Sequence, residues 1–249
     1  MKINYHSLGW SLIIMLCVWC TSCDRADKDA DLGKTDEEML EGNYLTNHYV
    51  PAYFYDLDSF VIRQFVGAEQ TKYGDGIILD FKGKSCNEET NKEKYVSLAS
   101  LYGDMTFTQS SQKGKRHILP EEISIADPIA SISVVSDQDF DDAHPAGTKL
   151  DDILYFHAIS PYVFVKSHYT TWNDDTPSLI DGGYSTIEGK LTDMKAEDFL
   201  LINCSFSYPA KAIYIDFPEK PTAKTHHLTI SIAFTNGKVL TAYGTKEFE

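Results

Sequence analysis

The chain has 249 residues, of which 37 are acidic and 22 basic, and its formal net charge at pH 7 is −15. Such a charge repels nucleic acid and anionic lipid headgroups, so the composition excludes binding to DNA or RNA. The chain is long enough for one large or two small domains with hydrophobic cores.

The N-terminus has the pattern of a signal peptide. Lys2 supplies a positive charge, and an apolar stretch follows over residues 8–19. That stretch is too short to span a bilayer comfortably, so it predicts a cleaved signal over residues 1–22 and not an anchor helix. The small residues Thr21 and Ser22 precede Cys23, which makes Cys23 the best-placed cleavage point.

The segment Cys20-Thr21-Ser22-Cys23 resembles the lipobox of bacterial lipoproteins, although Cys20 stands where that family usually has leucine. The resemblance implies that Cys23 becomes the first mature residue and carries acyl chains on its sulfur and its amine. Several acyl chains would anchor the protein to a membrane effectively permanently, because each buried CH₂ contributes about 0.8 kcal/mol. The alternative is an ordinary signal peptidase that cuts nearby and releases a soluble periplasmic protein.

Residues 23–42 are dense in charge, which predicts an acidic flexible tether ahead of a folded region over 43–249. The acidic start of this tether resembles the export signal of Bacteroidetes surface lipoproteins. That resemblance implies an outer-membrane location, lipid-anchored and facing the cell exterior. Asp24, at the second mature position, offers the alternative of retention in the inner membrane.

Only two of the five cysteines, Cys86 and Cys204, remain once the signal is removed and Cys23 is lipidated. In an oxidising envelope they could form a disulfide, which would stabilise the fold by about 4 kcal/mol in the chain-entropy model. The alternative is two buried free thiols. Neither cysteine lies in a CxxC pattern, so metal or redox chemistry has no support here.

Short segments rich in Val, Ile, Phe or Tyr, bounded by turn-forming residues, predict β-strands through most of the chain. They cover residues 59–66, 76–81, 104–108, 129–136, 153–158, 162–169, 199–205 and 212–217. Residues 227–234 alternate apolar and polar side chains and return through 239–243 after Asn236-Gly237, which predicts a hairpin with a type I′ turn. Short helices are predicted at 35–40 and 193–198.

Many short strands, without a long helical repeat or strand–helix alternation, predict an all-β fold. We expect antiparallel sheets packed as an immunoglobulin-like sandwich, with a barrel as the second architecture.

The most distinctive segment, residues 132–154, contains several aspartates followed by His144-Pro145-Ala146-Gly147. It resembles a segment that recurs in uncharacterised lipoprotein families of gut Bacteroidetes, and this resemblance implies no activity. Asp137, Asp139 and Asp141 also match the first three ligand positions of a Ca²⁺-binding loop.

Two positions depart from that Ca²⁺ pattern, because Asp142 replaces the required glycine and Thr148 replaces the bidentate glutamate. The alternative is therefore a solvated acidic loop, closed by a Pro-Ala-Gly turn, that binds no ion. We expect no other cofactor.

Trp172 is the only tryptophan outside the predicted signal and is followed by Asn173 and Asp174. An exposed tryptophan beside such polar groups can stack on a sugar and hydrogen-bond to it, so these three residues form a candidate ligand site. The alternative is that Trp172 belongs to the core.

The sequence has no local motif for a nucleophile, a phosphate loop or a zinc site. It therefore favours a non-catalytic surface lipoprotein that binds a glycan, a peptide or a protein. Two alternatives stay open, an envelope hydrolase and a structural subunit of a surface complex.

Overall fold

The computed structural model describes residues 48–64, 75–105, 107, 123–171, 183–204 and 213–248. All of these residues lie within one compact unit, Thr46–Glu249. The predicted signal, the tether with Cys23, the helix at 35–40 and the group Trp172, Asn173 and Asp174 lie outside the described residues.

The described part of the chain is mostly β-structure. Its strands are β1 (Tyr53–Gln64), β2 (Ile77–Cys86), β3 (Ser124–Ile125), β4 (Ile129–Ser136), β5 (Tyr155–Ser160), β6 (Ser185–Lys190), β7 (Ile213–Asp216), β8 (Thr225–Phe234) and β9 (Val239–Glu247). The larger sheet has the order β3-β1-β2-β7-β5-β6, and the smaller sheet has the order β4-β8-β9. The pair β1 and β3 is parallel, whereas the other strand pairs are antiparallel. The mostly-β class is confirmed, and the immunoglobulin-like arrangement stays a prediction.

The predicted C-terminal hairpin is present. Strands β8 and β9 pair from Thr225 opposite Glu247 to Ala233 opposite Val239. The turn differs from the predicted type I′, because Gly237 has a φ of 85° while Asn236 does not have a positive φ. The Gly237 N–H donates to the Phe234 carbonyl at 2.9 Å, which makes this a type I turn followed by a left-handed glycine.

Helix α1 (Lys92–Tyr102) was not among the predicted elements. Its buried residues Tyr95, Leu98 and Ala99 follow helical spacing and form one apolar face. The side chain of Asn91 caps the first turn by accepting a hydrogen bond from the Lys94 N–H at 3.2 Å. Gly103 ends the helix with a φ of 78°, the left-handed conformation that glycine adopts without strain.

Helix α2 (Tyr162–Lys166) replaces the strand predicted at 162–169, so that prediction was wrong. Pro161 stands at the start of the helix, where its fixed φ suits helical backbone. Burial of Phe164 and Val165 against the core outweighs the strand preference of this β-branched segment. No helix in the described ranges is long and apolar enough to cross a membrane.

Two other predicted strands differ from the structure. Asp104, Met105 and Phe107 are not in a strand, although one was expected over 104–108. In the segment predicted as a strand over 199–205, Asn203 forms only an isolated bridge to Ser124. A short 3₁₀ helix, Ala196–Phe199, lies where one helical turn was predicted.

The larger sheet has a core on each of its faces. Neighbouring residues within one strand alternate between the two cores: Phe54 and Ala158 belong to the first, and Tyr53 and Ile159 to the second. The first core fills the space between the two sheets, and the second lies under the helices. Three layers result, namely the smaller sheet, the larger sheet and the helices.

The segment 201–204 links β3 to β5. The Cys204 N–H donates to the Ile123 carbonyl at 2.9 Å, and the Ile125 N–H donates to the Ile202 carbonyl at 2.8 Å. On its other side, the Asn203 N–H donates to the Ile159 carbonyl at 2.9 Å. This segment therefore bridges two strands that are distant in the order of the larger sheet.

The structure does not form the candidate disulfide between Cys86 and Cys204, which are both free and buried. Cys86 lies opposite Tyr53, Tyr53 opposite Ser124, and Ser124 opposite Asn203, the neighbour of Cys204. Three strand spacings of about 4.8 Å give a separation of about 14 Å, twice what a disulfide can bridge. Burial raises the pKa of both thiols, that of Cys204 to about 12.

Asp104 is fully buried and holds the helical layer on the larger sheet. Its Oδ1 accepts hydrogen bonds from the Tyr49 N–H and the Tyr169 hydroxyl, both at 2.7 Å. Its Oδ2 accepts from the Val50 N–H at 2.9 Å and from the Tyr53 hydroxyl at 3.4 Å. Burial and the adjacent carboxylate raise the pKa of Tyr53 far above its ordinary value, so Tyr53 stays a donor.

We expect Asp104→Ala to lower the free energy of unfolding by about 3–5 kcal/mol, because it leaves buried donors without an acceptor. Urea denaturation of the full chain measures this loss. The control is Asp142→Ala, which removes an exposed carboxylate and should change stability by less than about 0.5 kcal/mol. Equal stabilities of the two variants would contradict the role assigned to Asp104.

Candidate functional site

The Asp-rich segment folds back along the free edge of β4. The Asp137 N–H donates to the His227 carbonyl at 3.1 Å, where β4 ends. Further along, the Gly147 N–H donates to the Ser136 carbonyl at 2.8 Å and the Leu150 N–H to the Val134 carbonyl at 2.9 Å. The segment therefore covers this edge of the smaller sheet.

The three Ca²⁺ candidates are not brought together as ligands. Each carboxylate accepts a hydrogen bond from a different backbone N–H, as follows: Asp137 from His227 at 2.8 Å, Asp139 from Ala146 at 2.7 Å, and Asp141 from Ala143 at 2.7 Å. Within the described ranges, no group of three or more His, Cys, Asp or Glu side chains could hold a metal ion. These aspartates therefore stabilise the loop backbone.

His144 is the centre of this loop and is buried. Its Nδ1 lies 2.7 Å from Oδ1 of Asp141, and its Nε2 lies 3.1 Å from Oδ1 of Asp152. Burial alone would lower the pKa of His144, but the hydrogen bonds to the two carboxylates outweigh it and raise the pKa. Burial alone would raise the pKa of Asp141, but hydrogen bonds from His144 and Ala143 outweigh this effect and lower the pKa. When protonated, the imidazole can donate a hydrogen bond from each nitrogen and so closes the loop between two carboxylates.

His226 is a second buried histidine with structural contacts. Its Nδ1 lies 2.7 Å from the Ser136 hydroxyl, and its Nε2 lies 3.0 Å from the Ala223 carbonyl oxygen. Its ring packs against Phe140 and Phe248, with ring centroids 5.7 and 5.3 Å away. Both of its nitrogens are therefore engaged in holding loops to the end of the smaller sheet.

The outward side of the smaller sheet has a different chemistry. We call it the outer face and define it by thirteen side chains that alternate with buried ones: Ser131, Ser133 and Val135 of β4, Thr225, His227, Thr229, Ser231 and Ala233 of β8, and Val239, Thr241, Tyr243, Thr245 and Glu247 of β9. Seven of them are serine or threonine, and two, His227 and Glu247, are ionisable. The pairing places them in rows across the strands.

Tyr243 is the most exposed large hydrophobic side chain in the described part of the chain, at 78%. It lies opposite Thr229 on β8, and Thr241 and Thr245 flank it along β9. In the adjacent row, the Ser231 and Thr241 hydroxyls are 3.3 Å apart. The outer face thus presents one aromatic ring beside several hydroxyl groups and the His227 imidazole.

Sequence reasoning found the hairpin but missed this surface. The signal was present in the alternate positions of residues 229–245, which hold threonine, serine and tyrosine on the side opposite the apolar residues. The predicted ligand site at Trp172 was favoured instead because tryptophan is conspicuous in a sequence.

No known protein family, no curated protein and no solved structure matches this chain.

We expect the His144 contacts to make stability depend on pH. Because folding raises the pKa of His144, its contribution is fully present below the ordinary histidine pKa of about 6.5 and is lost as pH rises through the folded value. His144→Gln should therefore cost most stability at low pH and least at high pH. Thermal unfolding midpoints across this range measure the difference.

The control for this titration is Asp142→Asn, which replaces an exposed carboxylate of the same loop with a carboxamide. It should keep the pH dependence of the wild-type protein. If His144→Gln lowers the unfolding midpoint by the same amount at every pH, the stabilising role assigned to protonated His144 is contradicted.

Proposed function

We propose that this protein is a lipid-anchored lipoprotein of the outer-membrane surface that binds a ligand without chemically changing it. The observation that carries this proposal is the outer face, a surface of mostly hydroxyl and apolar side chains on which the Tyr243 ring is exposed. Exposed apolar side chains on an edge strand are a solubility hazard, so a surface of this kind is typical of an interaction site.

The anchor is proposed from the sequence around Cys23 and the resemblance to Bacteroidetes lipoproteins. The charged residues 24–42 would place the folded region at some distance from the membrane. An immunoglobulin-like sandwich is the finer architecture that we propose for this region. Its support is the shared core between the two sheets, in which Phe60 and Phe81 of the larger sheet belong to the same cluster as Ile132 and Ile230 of the smaller sheet.

A binding role fits the chemistry of the described side chains better than hydrolysis does. The buried histidines His144 and His226 have both ring nitrogens in hydrogen bonds that hold loops together. The Asp104 carboxylate accepts four hydrogen bonds within the core. Most side chains of the outer face are hydroxyl, methyl and aromatic groups, which contact a ligand but do not exchange protons with it near neutral pH. Its two ionisable side chains make hydrogen bonds within the face, His227 with the Thr245 hydroxyl at 3.1 Å and Glu247 with the Thr225 hydroxyl at 2.8 Å.

The anchor is tested with the full precursor expressed in a bacterium that acylates lipoproteins. We expect labelled palmitate to be incorporated into the wild-type protein and the protein to fractionate with the outer membrane. Cys23→Ala should lose the label and the membrane association, whereas the matched control Cys20→Ala should keep both. An unlabelled wild-type protein in the soluble fraction would contradict the anchor.

The binding role is tested by offering the purified lipoprotein a panel of polysaccharides and peptides. We expect it to retain one class of ligand and to return that ligand with an unchanged mass. Release of shortened products would favour the envelope hydrolase. Failure to bind any member, together with stable co-purification of other outer-membrane proteins, would favour the structural subunit.

A further inference from the structure

We propose that the outer face is a binding site for a neutral polysaccharide, with Tyr243 as the residue on which a sugar ring stacks. This inference rests on the proposed binding function and adds the ligand class and the position of the site.

The side chains of the outer face match the two kinds of surface that a sugar has. A pyranose ring presents C–H groups on its flat sides and hydroxyl groups around its rim, so it is recognised by an aromatic ring with hydrogen-bonding groups beside it. Tyr243 supplies the ring, and Thr229 lies opposite it at a Cβ separation of about 5 Å. Thr241 and Thr245 lie on either side at about 7 Å, the repeat of alternate residues along a strand.

The rows of hydroxyl groups extend this pattern beyond one sugar unit. Ser231 and Thr241 form a pair of hydroxyl groups across β8 and β9, whereas the Ser133 hydroxyl oxygen in the same row is buried. Hydroxyl groups both donate and accept hydrogen bonds, so they can pair with any hydroxyl of a polyol. A chain of sugars lying along β8 and β9 would therefore meet polar partners at successive rows.

Charge argues for a neutral ligand. The chain carries 37 acidic residues and a net charge of −15, yet only Glu247, at the end of β9, belongs to the outer face. Asp137 stands at the border of this face, where its carboxylate accepts a hydrogen bond from the His227 N–H. A polysaccharide with carboxylate or sulfate groups would be repelled by these two carboxylates and by the net charge, whereas a neutral one would not.

Tyr243 has no structural task that would explain its position. Its hydroxyl makes no hydrogen bond to any described residue, and its ring is the most exposed large hydrophobic group there. It lies on β9, the edge strand of the smaller sheet, where exposed aromatic residues favour unwanted pairing between chains. A ligand that covers the ring accounts for its presence.

The experiment uses the full-length lipoprotein in detergent and immobilised neutral polysaccharides, namely glucan, mannan, galactan and xylan, together with uronic-acid and sulfated polysaccharides. We expect the wild-type protein to bind at least one neutral member and to bind the acidic ones more weakly. Tyr243→Ala should weaken that binding at least about tenfold, while Tyr243→Phe, which keeps the ring, should stay within about threefold of the wild-type protein.

The matched control is Tyr155→Ala, which removes a tyrosine that is 36% exposed on the larger sheet. It should bind like the wild-type protein, and all three variants should keep the wild-type unfolding midpoint. Thr229→Val and Thr241→Val remove hydroxyls without changing the shape of the sheet surface and should each weaken binding as well.

Three results would overturn the inference. If Tyr243→Ala binds a polysaccharide as tightly as the wild-type protein does, the site lies elsewhere while the proposed binding function stands. If the wild-type protein prefers acidic polysaccharides or retains only peptides, the ligand class is wrong and the binding function again stands. If sedimentation shows a dimer that Tyr243→Ala dissociates, the outer face is covered by a second copy of the chain.

Discussion

The buried carboxylate of Asp104 is the interaction on which the layered structure depends. Its four donors come from two distant parts of the chain, Tyr49, Val50 and Tyr53 in the first and Tyr169 in the second. A buried carboxylate is costly unless its oxygens are hydrogen-bonded, so these segments must converge for the fold to be stable. Because Asp104 lies two residues after the end of α1 and Tyr169 three residues after the end of α2, both helices are fixed on the larger sheet at this point.

The position of β1 under this helical layer also sets the position of the smaller sheet. A Cβ atom on Gly244 of β9 would come within 2.8 Å of Ile62, so glycine allows β9 to cross β1 closely. The Glu247 N–H donates to the Gln64 side chain at 3.2 Å, and Lys238 Nζ donates to the Leu57 carbonyl. These contacts hold the inner side of the hairpin against the larger sheet at both ends.

The sequence predicted those elements whose side-chain pattern is local. Strand β4 was predicted over 129–136, and the hairpin of β8 and β9 was predicted from alternation and Asn236-Gly237. Helix α2 could not be predicted, because Val163, Phe164 and Val165 favour a strand locally and only burial of Phe164 and Val165 selects the helix. Helix α1 was predictable in principle, since Asn91, Gly103 and the spacing of Tyr95, Leu98 and Ala99 mark its ends and its face.

The same contrast between local and spatial patterns explains why the conspicuous motif and the candidate site are different parts of the molecule. The aspartates of residues 137–152 suggested an ion, yet their oxygens are used by backbone N–H groups and by His144. Carboxylates in a short loop readily accept hydrogen bonds from their own backbone, so a cluster in sequence need not become a cluster in space.

A surface for a neutral ligand leaves a weaker trace in the sequence, because threonine, serine and valine are also ordinary residues on the exposed side of a strand. Only the register of β8 and β9 shows that hydroxyl groups from two strands lie around Tyr243. The acidic loop then has a definite place in this arrangement, since it covers the edge of β4 and keeps its charges at the border of the outer face.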